Sequence, residues 1–388
     1  MQSLSTSRRA LLGAVLTAAA LGAGGCGSPK QAAGDDSSIK VGVVYSQSGP
    51  LAGYGAQYAE GFKAGLAYAT DNTNKIGDRT IDVSWADDAG DPVKAVSAAK
   101  DLIGKGYRVL AGSTSSGVAL QVAPLAAENK VLFVSGPAAT DAITGANRYT
   151  FRSGRQSYQD VLTAKSFLGD GAQVVVFAPD SAFGKSNVDA VKNALHKDVT
   201  SIAVPAGATD FTPFASQIKA ARPDLVFVAW AGTTAGAMWQ ALDQQGVLAS
   251  TKVVTGLDIQ ASWAGFGPGA DKLNLLAHYF DGAVDNPAYQ ALKAAVPGGR
   301  TDLFHPDGFA AAQMIVHALT TSPDDVDKMV TSLEGYGFDS VKGRLTVRAD
   351  DHALLQPMFQ ARLSGGKATL TGTITPDAAA PPAAAMKG

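Results

Sequence analysis

The sequence is poor in the residues that build metal and redox sites. Its 388 residues include one cysteine, Cys26, which excludes internal disulfides, cysteine-rich zinc sites and iron–sulfur clusters. The five histidines are scattered, and none pairs with another at metal-ligand spacing. We therefore predict neither a bound metal nor a cofactor.

A run of basic residues is also missing. Lys and Arg number 32 against 34 Asp and Glu, which gives a formal net charge of −2. Nucleic-acid binding has no electrostatic basis in such a sequence. Apolar residues, by contrast, are plentiful: 46% of the chain is hydrophobic and 17% is charged, which suffices for real cores and, at this length, for two domains.

The N-terminal segment has the pattern of an export signal. An uncharged stretch, Ala10–Gly25, follows Arg8 and Arg9 and is too short to span a bilayer comfortably. It resembles a bacterial lipoprotein signal, in which residues 1–25 are removed and Cys26 becomes the lipid-modified N-terminus; the paired arginines also resemble a twin-arginine signal. The alternative is an ordinary secretory signal with an unmodified cysteine. We predict an extracytoplasmic protein that lipidated Cys26 anchors to the bacterial cell membrane.

Two further segments lack the apolar residues of a core. Residues 26–38 are rich in Ser, Gly, Ala and Asp, which predicts a flexible tether between lipid and domain. Residues 375–388 are rich in Ala and Pro, and we predict a disordered tail there. The folded part should therefore lie between these two segments.

From Ile39 onward, short apolar runs alternate with amphipathic stretches. Ile39–Val44 has the length and β-branching of a strand, and Gln57–Asn72 has helical periodicity. This alternation continues along the chain and predicts parallel sheets covered by helices on both faces. The βα units are too many for one sheet of usual size, so we predict two doubly wound lobes that divide near Gly154. Ligands bind outside the carboxyl ends of such strands, which would place a cleft between the lobes.

Two motifs with a bearing on catalysis or nucleotide binding are incomplete. Gly184-Lys185-Ser186 ends like a nucleotide P-loop, but Pro179 stands where the first glycine is needed. Gly112–Gly117 is one residue too long for the nucleophile elbow of a hydrolase, which would also need a histidine base. As a strand-to-helix turn rich in hydroxyls it suits a carboxylate better, with simple helix capping as the alternative.

A cluster of three aspartates, Asp87, Asp88 and Asp91, has a structural explanation. Its spacing does not match a calcium-binding EF-hand loop. Asp91 precedes Pro92 in the pattern of a helix N-cap followed by proline in the first turn. We therefore interpret the cluster as a turn and a cap.

Several segments together resemble one protein family. They occur in a fixed order: Ile39–Val44 with Ser46–Gly55, Ala86–Pro92, Gly112–Gly117, Val134–Thr140 and Ala178–Gly184. In this order and spacing the chain resembles, from about Ile39 to Leu363, the periplasmic leucine/isoleucine/valine-binding proteins, which are substrate-binding subunits of ABC importers. The set is specific although no single motif is decisive.

The resemblance implies an α/β fold of the type I periplasmic binding class. Two Rossmann-like doubly wound lobes would be joined by a three-strand hinge, with crossings near Gly154, Gly282 and Arg344 and the ligand cleft between the lobes. The implied boundaries are residues 39–154 with 283–344 for the first lobe and 155–282 with 345–374 for the second.

The resemblance also implies a set of ligand-binding residues. Ser116, with Ser115 beside it, matches the serine that binds an amino-acid carboxylate. Ala138 and Thr140 match a loop that contacts both carboxylate and ammonium, and Asp258 matches the acid that binds the α-ammonium. The apolar part of the ligand would be enclosed by Tyr54, Phe183, Trp230 and Phe304. Phe183 and Ala231 stand where the family usually has tyrosine, which leaves the identity of the ligand open.

The implied function is capture without catalysis. The protein would bind a branched-chain or other apolar amino acid by hinge closure and, as a monomer, deliver it to the permease and ATPase subunits of an ABC importer. Three alternatives stay open: an aromatic or aliphatic carboxylate or amide as ligand, a ligand sensor without transport, and an enzyme.

Overall fold

The computed structural model describes residues 38–167, 172–196 and 198–387. The predicted signal peptide, the predicted lipidation site Cys26 and all but the last residue of the predicted tether lie outside these ranges. Within them, no helix is long and apolar enough to cross a membrane.

The secondary structure alternates between strands and helices for most of the chain. The strands are β1 Ser38–Tyr45, β2 Lys75–Ile76, β3 Arg79–Asp87, β4 Val109–Gly112, β5 Leu132–Ser135, β6 Thr150–Arg152, β7 Val174–Pro179, β8 Thr200–Val204, β9 Leu225–Val228, β10 Lys252–Gly256, β11 Asn274–Ala277, β12 Gly337–Ser340, β13 Gly343–Val347, β14 Leu354–Leu355, β15 Met358–Ser364 and β16 Lys367–Ile374. The α-helices are α1 Ala52–Ala69, α2 Pro92–Gly104, α3 Ser116–Asn129, α4 Ser157–Ala164, α5 Ala182–Leu195, α6 Thr212–Ala221, α7 Ala235–Gln244, α8 Val247–Ser250, α9 Pro287–Ala295, α10 His305–Thr321 and α11 Val326–Leu333.

Two large sheets form the two lobes. The first has the order β2-β3-β1-β4-β5-β6 and is parallel except for the β2–β3 hairpin. The second has the order β16-β15-β11-β10-β9-β7-β8, with β15 and β16 running antiparallel to the rest. The predicted α/β fold with two doubly wound lobes is confirmed, with the antiparallel edges as an addition.

The local sequence explains where helix α2 begins. The Asp91 carboxylate accepts hydrogen bonds from the backbone N–H groups of Val93 (2.7 Å) and Lys94 (3.3 Å), and Pro92 occupies the first turn of α2. These bonds satisfy donors that a helix start leaves unpaired. The cap predicted at Asp91 is confirmed.

The third crossing between the lobes lies later in the chain than Arg344, where the sequence predicts it. Strands β13 and β14 pair in a small separate sheet with β12, and Leu345, Val347 and Leu354 are buried in the core of the first lobe. The crossing therefore follows β14 rather than lying at Arg344, because these apolar side chains are covered by first-lobe residues. Near the second predicted crossing, Gly282, the core contacts alternate: Tyr279 packs in a first-lobe cluster and Phe280 in the second-lobe core, so the chain passes between the lobes in this segment.

The C-terminal segment differs from the disordered tail that its composition predicts. From β16, at the edge of the second sheet, residues 375–387 pass to the first lobe. There Arg348 donates a hydrogen bond to the Pro381 carbonyl (2.8 Å), and the Ala384 N–H donates to the Asp351 carboxylate (2.9 Å). The segment has few apolar side chains to bury, but its backbone groups find charged partners.

Candidate ligand-binding cleft

A cavity of about 480 Å³ lies between the lobes. Its walls come from the loops after β1, β4 and β5 of the first sheet and after β7, β9, β10 and β11 of the second. These loops follow the carboxyl ends of the strands, where α/β sheets bind their ligands. The volume falls within the range of small-molecule sites.

The structure brings most of the predicted site residues together around this cavity. The lining includes Tyr54, Ser115, Ser116, Phe183, Trp230, Asp258 and Phe304. Ala138 and Thr140 do not line it; both are buried, and Pro137 and Ala139 reach the cavity instead. The Thr140 hydroxyl accepts a hydrogen bond from the Ala142 N–H (3.3 Å), so it caps a short 3₁₀ turn. The structure therefore does not place Ala138 and Thr140 in the cavity wall, where the sequence predicts them.

A strained turn brings the serines to the cavity. Gly112 ends β4 with φ of +106°, and a Cβ there would lie 2.1 Å from the Val44 carbonyl oxygen, so only glycine fits. Helix α3 then begins at Ser116, and the side chain of its N-cap residue, Ser115, makes no capping hydrogen bond. The first turn of α3 thus faces the cavity with hydroxyls and uncapped N–H groups, an arrangement that suits an anion.

Tyr54 connects the two lobes across the cleft. Its hydroxyl donates a hydrogen bond to Asp258 Oδ1 (2.7 Å) and accepts one from the Gly232 N–H (3.0 Å). The Ile259 N–H also donates to Asp258 Oδ1 (2.7 Å). Burial raises the pKa of Tyr54 well above its usual value, and the negative charge of Asp258 adds to the effect. Tyr54 is therefore a neutral hydrogen-bond bridge as well as an aromatic wall.

Two more hydrogen bonds close the cleft beside the cavity. Ser186 Oγ on α5 donates to Asp141 Oδ2 of the first lobe (2.9 Å). The Gln260 N–H of the second lobe donates to Asp302 Oδ2 (2.9 Å). The lobes thus touch at several points around the cavity, in a closed arrangement.

Aromatic rings form the apolar wall. Phe304 packs against Tyr54 with ring centres 4.7 Å apart and against His278 at 5.2 Å. Trp230 lies between Phe177 (5.3 Å) and Phe211 (5.4 Å). The small Ala231 also lines the cavity, beside the fixed indole of Trp230. This wall can enclose an apolar group of the ligand.

Sequence reasoning missed polar residues of the lining, and four of them lie outside the segments that carry the resemblance. They are Arg155, Asp160, Asn187 and His278. Arg155 and Asp160 follow the first predicted crossing, and His278 follows β11 shortly before the second predicted crossing at Gly282. The one available signal was the predicted break near Gly154, since hinge segments pass close to the cleft.

A buried polar chain runs from the cavity into the hinge. His278 Nε2 lies 3.4 Å from Asp307 Oδ2, and Asp307 Oδ1 lies 3.0 Å from the Lys342 ammonium, which also bonds Gln356. Burial lowers the pKa of His278 to about 4, although Asp307 acts to raise it. Burial opposes ionisation of Asp307, but Lys342 and His278 outweigh it and hold its pKa below the usual range. At neutral pH the chain therefore holds one ion pair and a neutral imidazole.

Comparison with known protein families agrees with this geometry. A family model described as periplasmic binding protein matches residues 38–368. The chain belongs to the periplasmic binding protein family. This is a family of binding proteins and not of enzymes, so membership confirms the prediction of a non-catalytic protein.

Relatives of this periplasmic binding protein are distant. The Leu/Ile/Val-binding protein BraC3 of Rhizobium johnstonii is 28% identical over 79% of this chain and 87% of its own length. A solved ABC-type branched-chain amino acid transporter from Rhodopseudomonas palustris is 30% identical, covers 88% of this chain and 97% of its own, and superimposes with a TM-score of 0.72. A solute-binding protein from R. palustris in complex with 4-hydroxybenzoate is 23% identical over 87% of this chain and 97% of its own, with a TM-score of 0.78, which shows the fold alone.

The cleft holds no evident metal centre. Among the residues that the structure describes, no three His, Cys, Asp or Glu side chains come together in a way that could hold an ion. The acidic cluster at Asp87, Asp88 and Asp91 instead accepts backbone and serine hydrogen bonds.

Proposed function

We propose that the protein binds an apolar α-amino acid, branched-chain or another, outside the cytoplasm and delivers it to the permease and ATPase of an ABC importer. The observation that carries this proposal is that one cavity has a polar group on each lobe, one suited to an anion and the other to a cation. The first turn of α3, with Ser115 and Ser116, suits a carboxylate, and Asp258 from the other lobe suits an ammonium. The aromatic wall between them suits an apolar side chain.

The proposed mechanism is hinge closure without chemistry. A ligand that contacts Ser116 of the first lobe and Asp258 of the second stabilises the closed arrangement of the lobes, because an open cleft would lose one set of contacts. The three crossings would allow the lobes to separate for entry and release. Two relatives support this assignment by their names: BraC3 is a Leu/Ile/Val-binding protein, and the solved relative is an ABC-type branched-chain amino acid transporter.

An amine-free aromatic carboxylate is the second candidate. It is favoured by the two hydrogen bonds that Asp258 Oδ1 already accepts, from Tyr54 and Ile259, since a carboxylate occupied in this way has less need of an ammonium. The 4-hydroxybenzoate complex shows that the shared fold can hold such a ligand.

Thermal unfolding with a ligand panel separates the candidates. The Cys26→Ser protein, which cannot be lipidated, is melted with apolar amino acids, aromatic carboxylates, amides and sugars. A ligand at 100 times its Kd stabilises the fold by about 2.7 kcal/mol, which raises Tm by several degrees. We expect the shift with Leu, Ile, Val or Phe; a shift with benzoates alone would support the second candidate, and a shift with sugars alone would contradict both.

We also propose that lipidated Cys26 anchors the protein to the outer face of the cell membrane. Mass spectrometry of the mature protein tests this. We expect a diacylglyceryl-modified N-terminal cysteine, and recovery of the Cys26→Ser protein in the soluble fraction outside the membrane. An unmodified N-terminus at any other residue would contradict it.

A further inference from the structure

We infer that Arg155 recognises the carboxylate of the ligand, so that the cleft selects free acids against their neutral amides. This inference rests on the proposed function and deepens it, because it names the group of the ligand that is read and the residue that reads it. The first turn of α3 would then assist Arg155 rather than hold the carboxylate alone.

The guanidinium of Arg155 is buried but incompletely paired. The side chain is 13% exposed and lies in the cavity wall. Its Nη1 donates a hydrogen bond to the Pro137 carbonyl (3.1 Å). Its Nε lies 3.3 Å from Asp160 Oδ2, yet it has no hydrogen-bond partner of acceptable geometry. A buried charged donor without a partner is costly, and a ligand oxygen in the cavity would remove that cost.

Asp160 holds Arg155 without saturating it. This carboxylate is 7% exposed, and its Oδ1 also lacks a hydrogen-bond partner. The pair is therefore a loose ion pair that fixes the direction of the guanidinium. Arginine carries five N–H donors in a planar fork, so two contacts to protein leave donors for a carboxylate.

The charges around the cavity favour a zwitterion with its acid end at Arg155. Among the described residues, Arg155 is the one member of the lining with a permanent positive charge; Asp160 and Asp258 are acidic, and His278 is neutral at pH 7. Asp160 balances Arg155, which leaves Asp258 without a cation in the lining. A ligand carboxylate at Arg155 and an ammonium at Asp258 would match this distribution.

The aromatic wall separates the two charged groups. The Arg155 guanidinium lies 5.9 Å from the centre of the Phe304 ring. Phe304 packs on Tyr54, whose hydroxyl bonds Asp258. Arg155 and Asp258 therefore adjoin different members of this ring pair. A ligand that reaches both must lie along the wall, with its apolar part against the rings.

Calorimetric titration with matched acid and amide probes tests the inference. The probes are L-leucine with L-leucinamide and 4-hydroxybenzoate with 4-hydroxybenzamide, titrated into the full-length Cys26→Ser protein. The test variant is Arg155→Gln/Asp160→Asn, which removes the pair without leaving a single buried charge. We expect the wild type to prefer the acid, and the variant to lose about 30-fold or more in acid affinity while amide affinity changes little.

Matched variants distinguish recognition from a structural role. Arg148→Gln/Asp327→Asn makes the same two changes at an exposed ion pair outside the cleft and should leave the acid-to-amide ratio unchanged. Arg155→Lys keeps the charge but loses the fork, so its ratio should fall between wild type and the double variant. If the double variant does not fold, the acid-to-amide ratio of Arg155→Lys tests the inference alone.

The outcomes separate this inference from the proposed function. Acid binding by the wild type with an unchanged acid-to-amide ratio in the Arg155 variants overturns the inference and leaves the proposed function standing. A wild-type protein that melts cooperatively but binds none of the four probes and none of L-isoleucine, L-valine and L-phenylalanine overturns the proposed function, and the role of Arg155 with it. A variant that loses stability yet keeps the ratio shows that Arg155 is structural and overturns the inference.

Discussion

Asp258 is the cleft residue whose ionisation distinguishes the two ligand classes. Burial raises its pKa above the usual range for aspartate, although hydrogen bonds from Tyr54 and Ile259 act in the opposite direction. An ammonium group favours the ionised carboxylate, so the affinity for an amino acid must fall as the pH falls through this raised pKa. For an amine-free carboxylate the sign reverses, since protonation of Asp258 removes a like charge.

We predict that the affinity for L-leucine falls as the pH falls. Its Kd, measured by calorimetry between pH 7.5 and pH 4.5, should increase towards acid pH. Asp258→Asn should weaken binding at neutral pH by about tenfold or more and reduce the pH dependence. If leucine does not bind and 4-hydroxybenzoate binds more tightly as the pH falls, the α-amino acid is the wrong ligand.

His278 gives the stability of the protein a defined pH dependence. Its pKa is about 4 in the folded state, mainly because of burial, whereas an exposed histidine titrates near 6.5. Because the unfolded chain takes up a proton that the folded chain does not, stability is lost as the pH falls from about 6.5 towards 4, by about 3 kcal/mol.

Urea unfolding of the ligand-free protein across this range measures the effect. His278→Gln should flatten the decline, and His196→Asn, at an exposed position, should leave it unchanged. The same pH dependence of the unfolding free energy in the wild type and in His278→Gln would show that His278 is not buried as a neutral imidazole.

The sequence predicts cavity residues that follow the ends of strands better than cavity residues that lie in the hinge. Tyr54 and Ser116 lie in the first turns of helices that follow strands, Asp258 lies in the loop after a strand, and the structure places all three at the cavity. Ala139 lines the wall where Ala138 is predicted, because the sequence does not show which residue of the loop after β5 faces the cavity. Arg155 could not be predicted, since its place in the cleft depends on how the first crossing folds.

The C-terminal segment is the element whose behaviour differs most from its composition. Alanine and proline give it little apolar surface, which predicted disorder. Its carbonyl groups, however, accept hydrogen bonds from Arg348, and Ala379 is fully buried. Because it begins at β16 of the second lobe and ends on the first, it adds a contact between the lobes beyond the three crossings.

We predict that removal of residues 376–388 destabilises the protein by about 2 kcal/mol, since hydrogen bonds to a charged partner contribute about that much. Thermal unfolding measures the loss. Arg348→Gln should cost less in the shortened chain than in the full chain, because part of its contribution has already been removed. Equal costs in the two backgrounds would show that the segment does not dock on Arg348.

Strand pairing explains why the third crossing was predicted too early. The sequence shows that Gly343–Val347 is apolar enough for a strand but not which sheet accepts it. Its pairing with β12 and β14 holds the chain in the first lobe until residue 355. The alternation of strands and helices is thus readable from the sequence, whereas long-range pairing is not.

On the scale of the whole molecule, the hinge and the cleft are physically connected. The chain of His278, Asp307, Lys342 and Gln356 links the cavity wall to the second and third crossings and to helix α10. Tyr54 and Asp258 close the cleft through a direct hydrogen bond between the lobes. The identity of the ligand depends on side chains from both lobes, which is why the sequence predicted the binding class better than the ligand.

The central claim, capture of an apolar amino acid between the lobes, is tested most directly by calorimetric titration of L-leucine, L-isoleucine, L-valine and L-phenylalanine into the Cys26→Ser protein at pH 7.5. We predict saturable binding of at least one of them with one site per chain, and its loss in a variant that combines Asp258→Asn with Arg155→Gln/Asp160→Asn. No binding of any apolar amino acid by a cooperatively folded protein that does bind a sugar or an amine-free acid would contradict the claim.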